Sequence, residues 1–494
     1  MQTASIAPSS SCAPRQPGAG RTGRPSLDPR LDAIAAKVES GERLTLEDGE
    51  LLFTTPDIWT VCQLADKVRR RLHGDTAFYN VNRHLNYSNV CALSCKFCEF
   101  YRKKDDDGAY TRDMEYVKAQ VAEAVENGAT EMHCVGGLHP YLPWSYYPEL
   151  VSTIRDTARS LGSELHVKAF TAVEVVHLAK IAKVYNVSDR AAGIRHVLRE
   201  LKDAGLGSLP GGGAEVFDDR IHDEAFKGKI RSDVWLDVHR VAHELGLNTN
   251  ATILYGHIEQ RHDRLVHMDM LRRAQDRALA RMGYAGEGSG RVAEWQSGRV
   301  GERNGATGHL GYSGDEGADV PVITLTRPGT PLPEHLAFGT RADQSTAIAQ
   351  PATPHSATLP PCHSATSSGY FQTIIPLPFF PDGSALEHLA GPMGLENLRT
   401  LAIARLMLDN FPHVKAFWIM QTLQMAQLML QSGADDLDGT VVWYDITKVG
   451  GSSTHQEVSV WSLKKAIREA GFTPVERDTL YRPIVREGKL WRVG

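Results

Sequence analysis

Apolar residues recur along this chain in two alternating patterns. Helical spacing predicts helices over 29–39, 45–53, 58–72, 112–127, 145–161, 172–184, 189–204, 232–245, 395–410, 423–431 and 460–470, with another starting near 259. Short runs between them read as strands at 78–86, 131–137, 164–170, 208–210, 248–256, 372–378, 413–419 and 438–442. Strand following helix in this way predicts a parallel sheet of about eight βα units, hence an α/β fold of the (β/α) TIM-type barrel class. A doubly wound open sheet is the alternative, and no G-x-G-x-x-G after an early strand supports it.

The strands carry a second signal. Asn82, His84, Asn86 and Ser88 share one face of the first, with Val81, Leu85 and Tyr87 on the other. His166 and Lys168 oppose Leu165, Val167 and Ala169, and His413 and Lys415 oppose Val414 and Ala416. Helices cover the outside of such a barrel, so the polar faces are expected to point into the lumen. A lumen of Asn, His and Lys is costly unless it is wet or holds a polar ligand. Strand-end residues facing solvent are the alternative.

Two stretches break the periodicity. The first 27 residues are rich in Ser, Pro, Gly and Arg, and residues 277–369 are dense in Gly, Ser, Thr and Pro. Neither holds enough apolar residues to offset ordering entropy. The division is therefore a disordered tail (1–27), N-terminal helices (28–77), the first part of the barrel (78–276), a low-complexity insertion (277–369) and the barrel completion with a C-terminal segment (370–494). A transit peptide is the alternative for the tail.

The chemistry concentrates in NVCALSCKFCEFYRK, where Cys91, Cys95 and Cys98 stand in a C-x3-C-x2-C spacing. Thiolates are the ligands of iron–sulfur clusters. Three of them leave one iron of a four-iron cube open for chemistry. A structural zinc would want a second ligand pair at matching spacing, and none is present, although Cys134 or His84 can serve singly. The net charge of −5 argues against a nucleic-acid surface, and no apolar run reaches membrane-spanning length. Four scattered cysteines besides the trio fit a reducing, cytoplasmic compartment. Arg102, in the charged flank RKKDDD, is a candidate for an anionic substrate, a solvated charge run being the more common meaning.

The cysteine spacing, with Phe97 before the last cysteine, resembles the cluster loop of the radical S-adenosylmethionine superfamily. The resemblance implies a 4Fe-4S cluster on Cys91, Cys95 and Cys98, with S-adenosyl-L-methionine on the open iron. It implies cofactor contacts from Gly136 and Gly137 in CVGGLHP and from Glu215 in PGGGAEV. Leu254 and Glu259 in TILYGHIE would lie near the adenine, where Thr252 and Leu254 depart from the pattern G-x-I-x-G-x-x-E. Longer strings, among them HLNYSNVCALSCKFCEFYR, VKAFTAVEVVHLAK, HELGLNTNATILYGHIE, IARLMLDNFPHVKAFW and PVERDTLY, look like the aminofutalosine synthases of the futalosine route to menaquinone. That implies a transferase that consumes S-adenosylmethionine and adds its 5′-deoxyadenosyl radical to 3-[(1-carboxyvinyl)oxy]benzoate. Methionine and the carboxylate carbon would leave. Flavodoxin or ferredoxin would supply the electron. The substrate has two carboxylates, so Lys168, Lys415 and Arg83 are the expected cations, with His84 and His257 as hydrogen-bond donors or proton shuttles. Cyclic dehypoxanthinyl futalosine synthase and the deazaflavin-type synthases share the loop and barrel and are the alternatives.

Overall fold

The computed structural model describes residues 27–283, 368–441 and 457–494. Nearly all of the expected tail and of the expected insertion lies outside the described residues. Three helices, Leu31–Ser40, Leu46–Thr54 and Ile58–His73, precede the first strand. The strands are β1 (Thr76–Asn80), β2 (Asn82–Leu85), β3 (Glu131–Cys134), β4 (His166–Ala169), β5 (Leu206–Leu209), β6 (Asn248–Tyr255), β7 (Phe371–Pro378), β8 (His413–Val414), β9 (Asp436–Gly439), β10 (Thr473–Glu476), β11 (Ile484–Glu487) and β12 (Leu490–Val493).

Strands β2 to β8 form a seven-stranded parallel sheet in chain order. β10, β1 and β9 form a second parallel sheet of three. Its β9 closes the ring. Lys415, just past β8, bridges in parallel to Asp436. On the other side the Thr440 hydroxyl donates to the Asn82 carbonyl at 3.1 Å and accepts from its N–H at 3.3 Å.

The single strand expected over 78–86 is two strands, because the chain changes partners at Val81. β1 pairs with β9 and β10, and β2 pairs with β3. The expected strand at 413–419 is only β8, since Trp418–Gln421 forms a helical turn whose Trp418 indole donates to the Gly439 carbonyl at 2.8 Å. β9 begins two residues before the expected strand at 438. The helix Arg261–Arg281 continues past 277, and its Gln275 holds Phe371 through both main-chain groups.

Helices pack outside the sheet through apolar stripes three and four residues apart. Val117, Val121 and Ala124 line the buried side of Met114–Glu126, and Leu150, Val151, Ile154 and Ala158 that of Tyr146–Ser160. Met132, Val167 and Ala169 meet this layer from the sheet. The polar alternates point the other way: His84, His133, Lys168, Asn250 and Lys415 all line one cavity inside the ring. Among the described residues no helix is long and apolar enough to cross a membrane.

Candidate active site

The cavity holds about 300 Å³ at the C-terminal ends of the sheet strands. Cys91, Cys95 and Cys98 stand at its mouth, on the loop that follows β2. That loop is stitched from several sides. Cys91 N–H donates to the Arg102 carbonyl at 3.0 Å, Lys96 N–H to Ala225 at 3.0 Å and Ala92 N–H to Leu138 at 2.9 Å. Arg102 itself turns back onto the Glu99 and Tyr101 carbonyls, so it serves the loop rather than the lumen.

The trio suits a polynuclear cluster. A tetrahedral zinc with bonds of about 2.3 Å would hold its sulfurs about 3.8 Å apart. Among the described residues, the three-ligand group drawn together within 4.8 Å is His73, His413 and Asp435, not the cysteines. In that buried group the ligand atoms are already engaged within the protein: Arg405 and His413 sit on the two oxygens of Asp435, and His73 Nε2 bonds the Pro412 carbonyl at 2.7 Å. Burial pushes the Cys95 thiol up to about 11, with Lys229 pulling against it, and burial likewise raises Cys98. Lys229 pairs with Glu215 and lies 4.9 Å from the centre of the Phe97 ring. It places a fixed cation beside sulfurs that must become thiolates.

The glycine pair lies against the cluster loop. Gly137 N–H donates to Ser88 at 2.8 Å, and Leu138 N–H approaches Cys91 Sγ at 3.4 Å. A Cβ on Gly136 would come within 2.7 Å of the Tyr87 ring, and one on Gly137 would collide with the Val90 carbonyl. Glu174 fastens this arrangement. Its Oε1 accepts from Gly136 N–H at 3.0 Å and from the Tyr87 hydroxyl at 2.8 Å, while Oε2 accepts from Thr171 N–H at 2.7 Å and its hydroxyl at 2.8 Å. The same carboxylate closes the capping box of helix Ala172–Ile181. Burial raises its pKa against these four donors.

Further round the rim, Gly211 approaches Ala251 so closely that a Cβ would meet its backbone at 2.6 Å. Thr252, which stands where the family pattern has glycine, uses its hydroxyl to hold the Gly211 carbonyl at 2.7 Å. Glu215 occupies the left-handed region (φ 48°) and accepts from Leu254 N–H at 3.0 Å. Glu215 and Leu254 line the cavity.

Three expected site residues do not. Arg83 neighbours His84 on a strand and so faces outward, where it pairs with Glu123 of the helix Met114–Glu126. Glu259 turns inward on its own loop, accepting from Gly256 N–H at 2.6 Å, His257 N–H at 2.9 Å and Arg264 at 2.8 Å. His257 bonds the Leu254 carbonyl at 3.1 Å and lies outside the cavity lining. Both shape the turn after β6 from behind.

Lys168 and Lys415 do face the lumen, but each has a carboxylate partner. Lys168 meets Glu131 at 2.6 Å and Lys415 meets Asp438 at 3.0 Å. Arg477, from the segment after β10, meets Asp436 at 2.6 Å. Burial by itself would raise the carboxyl of Glu131, but Lys168, Lys415 and Arg477 outweigh it and hold the group well below its ordinary range. Burial depresses Lys168 as well. His84 and His133 touch at 4.4 Å between ring centres. Burial lowers His84 to about 4 and holds His133 well below the ordinary range, so both rings are neutral at pH 7. Glu131 and His133 carry the period-two signal that singled out Lys168; Glu174 and Lys229 join the site only through the fold.

Residues 85–271 match the Radical SAM superfamily and residues 367–487 the CofH/MqnC C-terminal region. An aminodeoxyfutalosine synthase of Thermus thermophilus is 35% identical over 92% of this chain and 96% of its own length. One of Streptomyces coelicolor is 36% identical over 92% and 94%. A crystal structure of methylornithine synthase shares the fold, with a TM-score of 0.56 at 14% identity, covering 89% of this chain and 97% of its own. Cysteine loop, barrel and near full-length similarity agree: the chain belongs to the aminodeoxyfutalosine synthase family of radical S-adenosylmethionine enzymes, which use a 4Fe-4S cluster and S-adenosylmethionine.

Proposed function

We propose that this enzyme joins the adenosyl half of S-adenosylmethionine to the enol-ether carbon of 3-[(1-carboxyvinyl)oxy]benzoate, releasing methionine and the carboxylate carbon. The observation that carries this reading is one lumen with two ends: three cysteines at its mouth and two lysines on its floor. Cys91, Cys95 and Cys98 are the residues to hold the cluster, which when bound supplies the electron that cleaves S-adenosylmethionine. Gly136, Gly137, Glu215 and Leu254 line the same cavity and are the candidates to receive that co-substrate. An external one-electron donor protein completes the reaction.

The chain's own part is positioning and exclusion. Val173, Leu254, Leu377, Phe379 and Phe417 give the cavity apolar walls. Such walls keep water and stray hydrogen donors from a reactive centre and hold two reactants in contact. Lys168 and Lys415 each donate to one carboxylate of the protein and keep further N–H groups for a carboxylate of the substrate. The test is anaerobic turnover with product identification by mass. The expected nucleoside is the adenosyl adduct with equimolar methionine. Free 5′-deoxyadenosine as the sole nucleoside product marks hydrogen abstraction and overturns the reading.

A further inference from the structure

Among the described residues, the floor of the cavity and the ion pairs directly behind it are charge-balanced. Lys168, Lys415 and Arg477 face Glu131, Asp436 and Asp438, each cation within 3.0 Å of an acid. A dicarboxylate brings two more negative charges into this space, with no surplus cation among the described residues of the floor to meet them. Buried unpaired charge is expensive enough that such a group changes its protonation state or its neighbours change theirs.

The acids of the floor are poor recipients for a compensating proton. Protonating Glu131 or Asp438 breaks an ion pair already made. His133 has no such bond to lose among the described residues. His84 and His133 both line the cavity, and their rings are in contact. His133 Nε2 is buried and has no hydrogen-bond partner among the described residues. Among the described residues, the charged groups that face the pair are Asp438 from β9, Lys168 from β4, Glu131 from β3 and Lys415 after β8. Two cations and two anions nearly cancel there. An added anion tips that balance toward a protonated ring.

We propose that a dicarboxylate entering the lumen carries a proton onto the His84–His133 pair, so that substrate binding and proton uptake are a single event. The pair would act as a positioning group for anionic substrate: uncharged in the empty lumen and cationic in the filled one. This rests on the dicarboxylate reading above.

The test is calorimetric titration of the anaerobic holoenzyme, with S-adenosylmethionine present and reductant absent. The enol ether is titrated in buffers of different ionisation enthalpy near neutral pH. The expected result is uptake of about one proton per ligand, with affinity falling about tenfold per pH unit as pH rises. The ligand methylated at its benzoate carboxylate should take up less. His84→Asn and His133→Asn should each lower the uptake and flatten the pH dependence. Binding with no proton uptake overturns the proposal, as does uptake that neither the ester nor either variant changes. The ester comparison uses the unaltered protein, so it decides even if a variant fails to fold. No binding at all overturns the dicarboxylate reading itself, a result distinct from binding without protons.

Discussion

Lys168 and Glu131 meet inside the protein with almost no exposure, and that pairing sets what a mutation there can report. Removing one partner of a buried ion pair leaves an uncompensated charge and costs about 3–5 kcal/mol. Lys168→Met should therefore lower the melting temperature as well as substrate affinity. Adding Glu131→Gln removes the stranded charge, so the double variant should regain most of the stability while KM for the enol ether stays high. Thermal melting and steady-state kinetics on both proteins separate the two effects. A double variant with normal KM would end the substrate role of Lys168. Gly137 presents the opposite case, a position where the missing side chain matters. Gly137→Ala would press a methyl group into the Val90 carbonyl, one residue before Cys91. Backbone cannot yield there without moving the cluster loop, so the purified protein should hold less iron per chain while its far-ultraviolet circular dichroism is unchanged.

At the scale of elements, the turn between β4 and its helix ties capping to the cluster loop. Thr171→Ala removes a capping hydroxyl, worth about 1 kcal/mol, and leaves Glu174 on Gly136 and Tyr87. Glu174→Ala frees the glycine loop itself. The expected pattern is a small loss of stability with normal kinetics for Thr171→Ala. Glu174→Ala should instead show a several-fold higher KM for S-adenosylmethionine at full iron content. Equal kinetics in the two variants would reduce Glu174 to a cap. The T-x-x-E spacing of this cap is visible in the sequence, but its reach to Gly136 is not, because the contact joins a helix to the loop after β3, 38 residues away in the chain. The same division runs through the rest of the molecule. The βα rhythm, the cysteine loop and the inward polar faces are local patterns with one period each. Arg83 was open to correction from that alternation, since it cannot share a face with His84. The break at Val81 and the shortness of β8 depend on which strand pairs with which, and no local pattern carries that information. His257 and Glu259 fit a motif by spacing, yet their hydrogen bonds turn them into the wall behind the cavity.

Over the whole molecule, buried histidines make stability unusually sensitive to mild acid. Burial lowers His73, His239 and His267 to about 3 and His84 to about 4. In the unfolded chain a histidine titrates near 6.5, so from there downward the unfolded state binds more protons than the folded one. Stability is therefore complete above pH 6.5 and falls as pH drops toward the folded values, by about 3 kcal/mol per such histidine at pH 4. The carboxylates Glu131 and Asp438, held low by the floor cations, add their own loss only below the unfolded carboxylate range near 4. Melting temperature followed from pH 8 to 4 should thus begin to fall near 6.5, well before carboxylates titrate. A flat profile down to pH 5 would contradict the neutral, buried state of these rings. Ligand changes the prediction in one direction only. If the His84–His133 pair is already protonated in the filled lumen, that pair no longer resists a proton, and the saturated enzyme should lose stability less steeply between pH 6.5 and 5 than the free enzyme. Parallel slopes for the two forms would mean that the bound dicarboxylate finds its positive charge elsewhere.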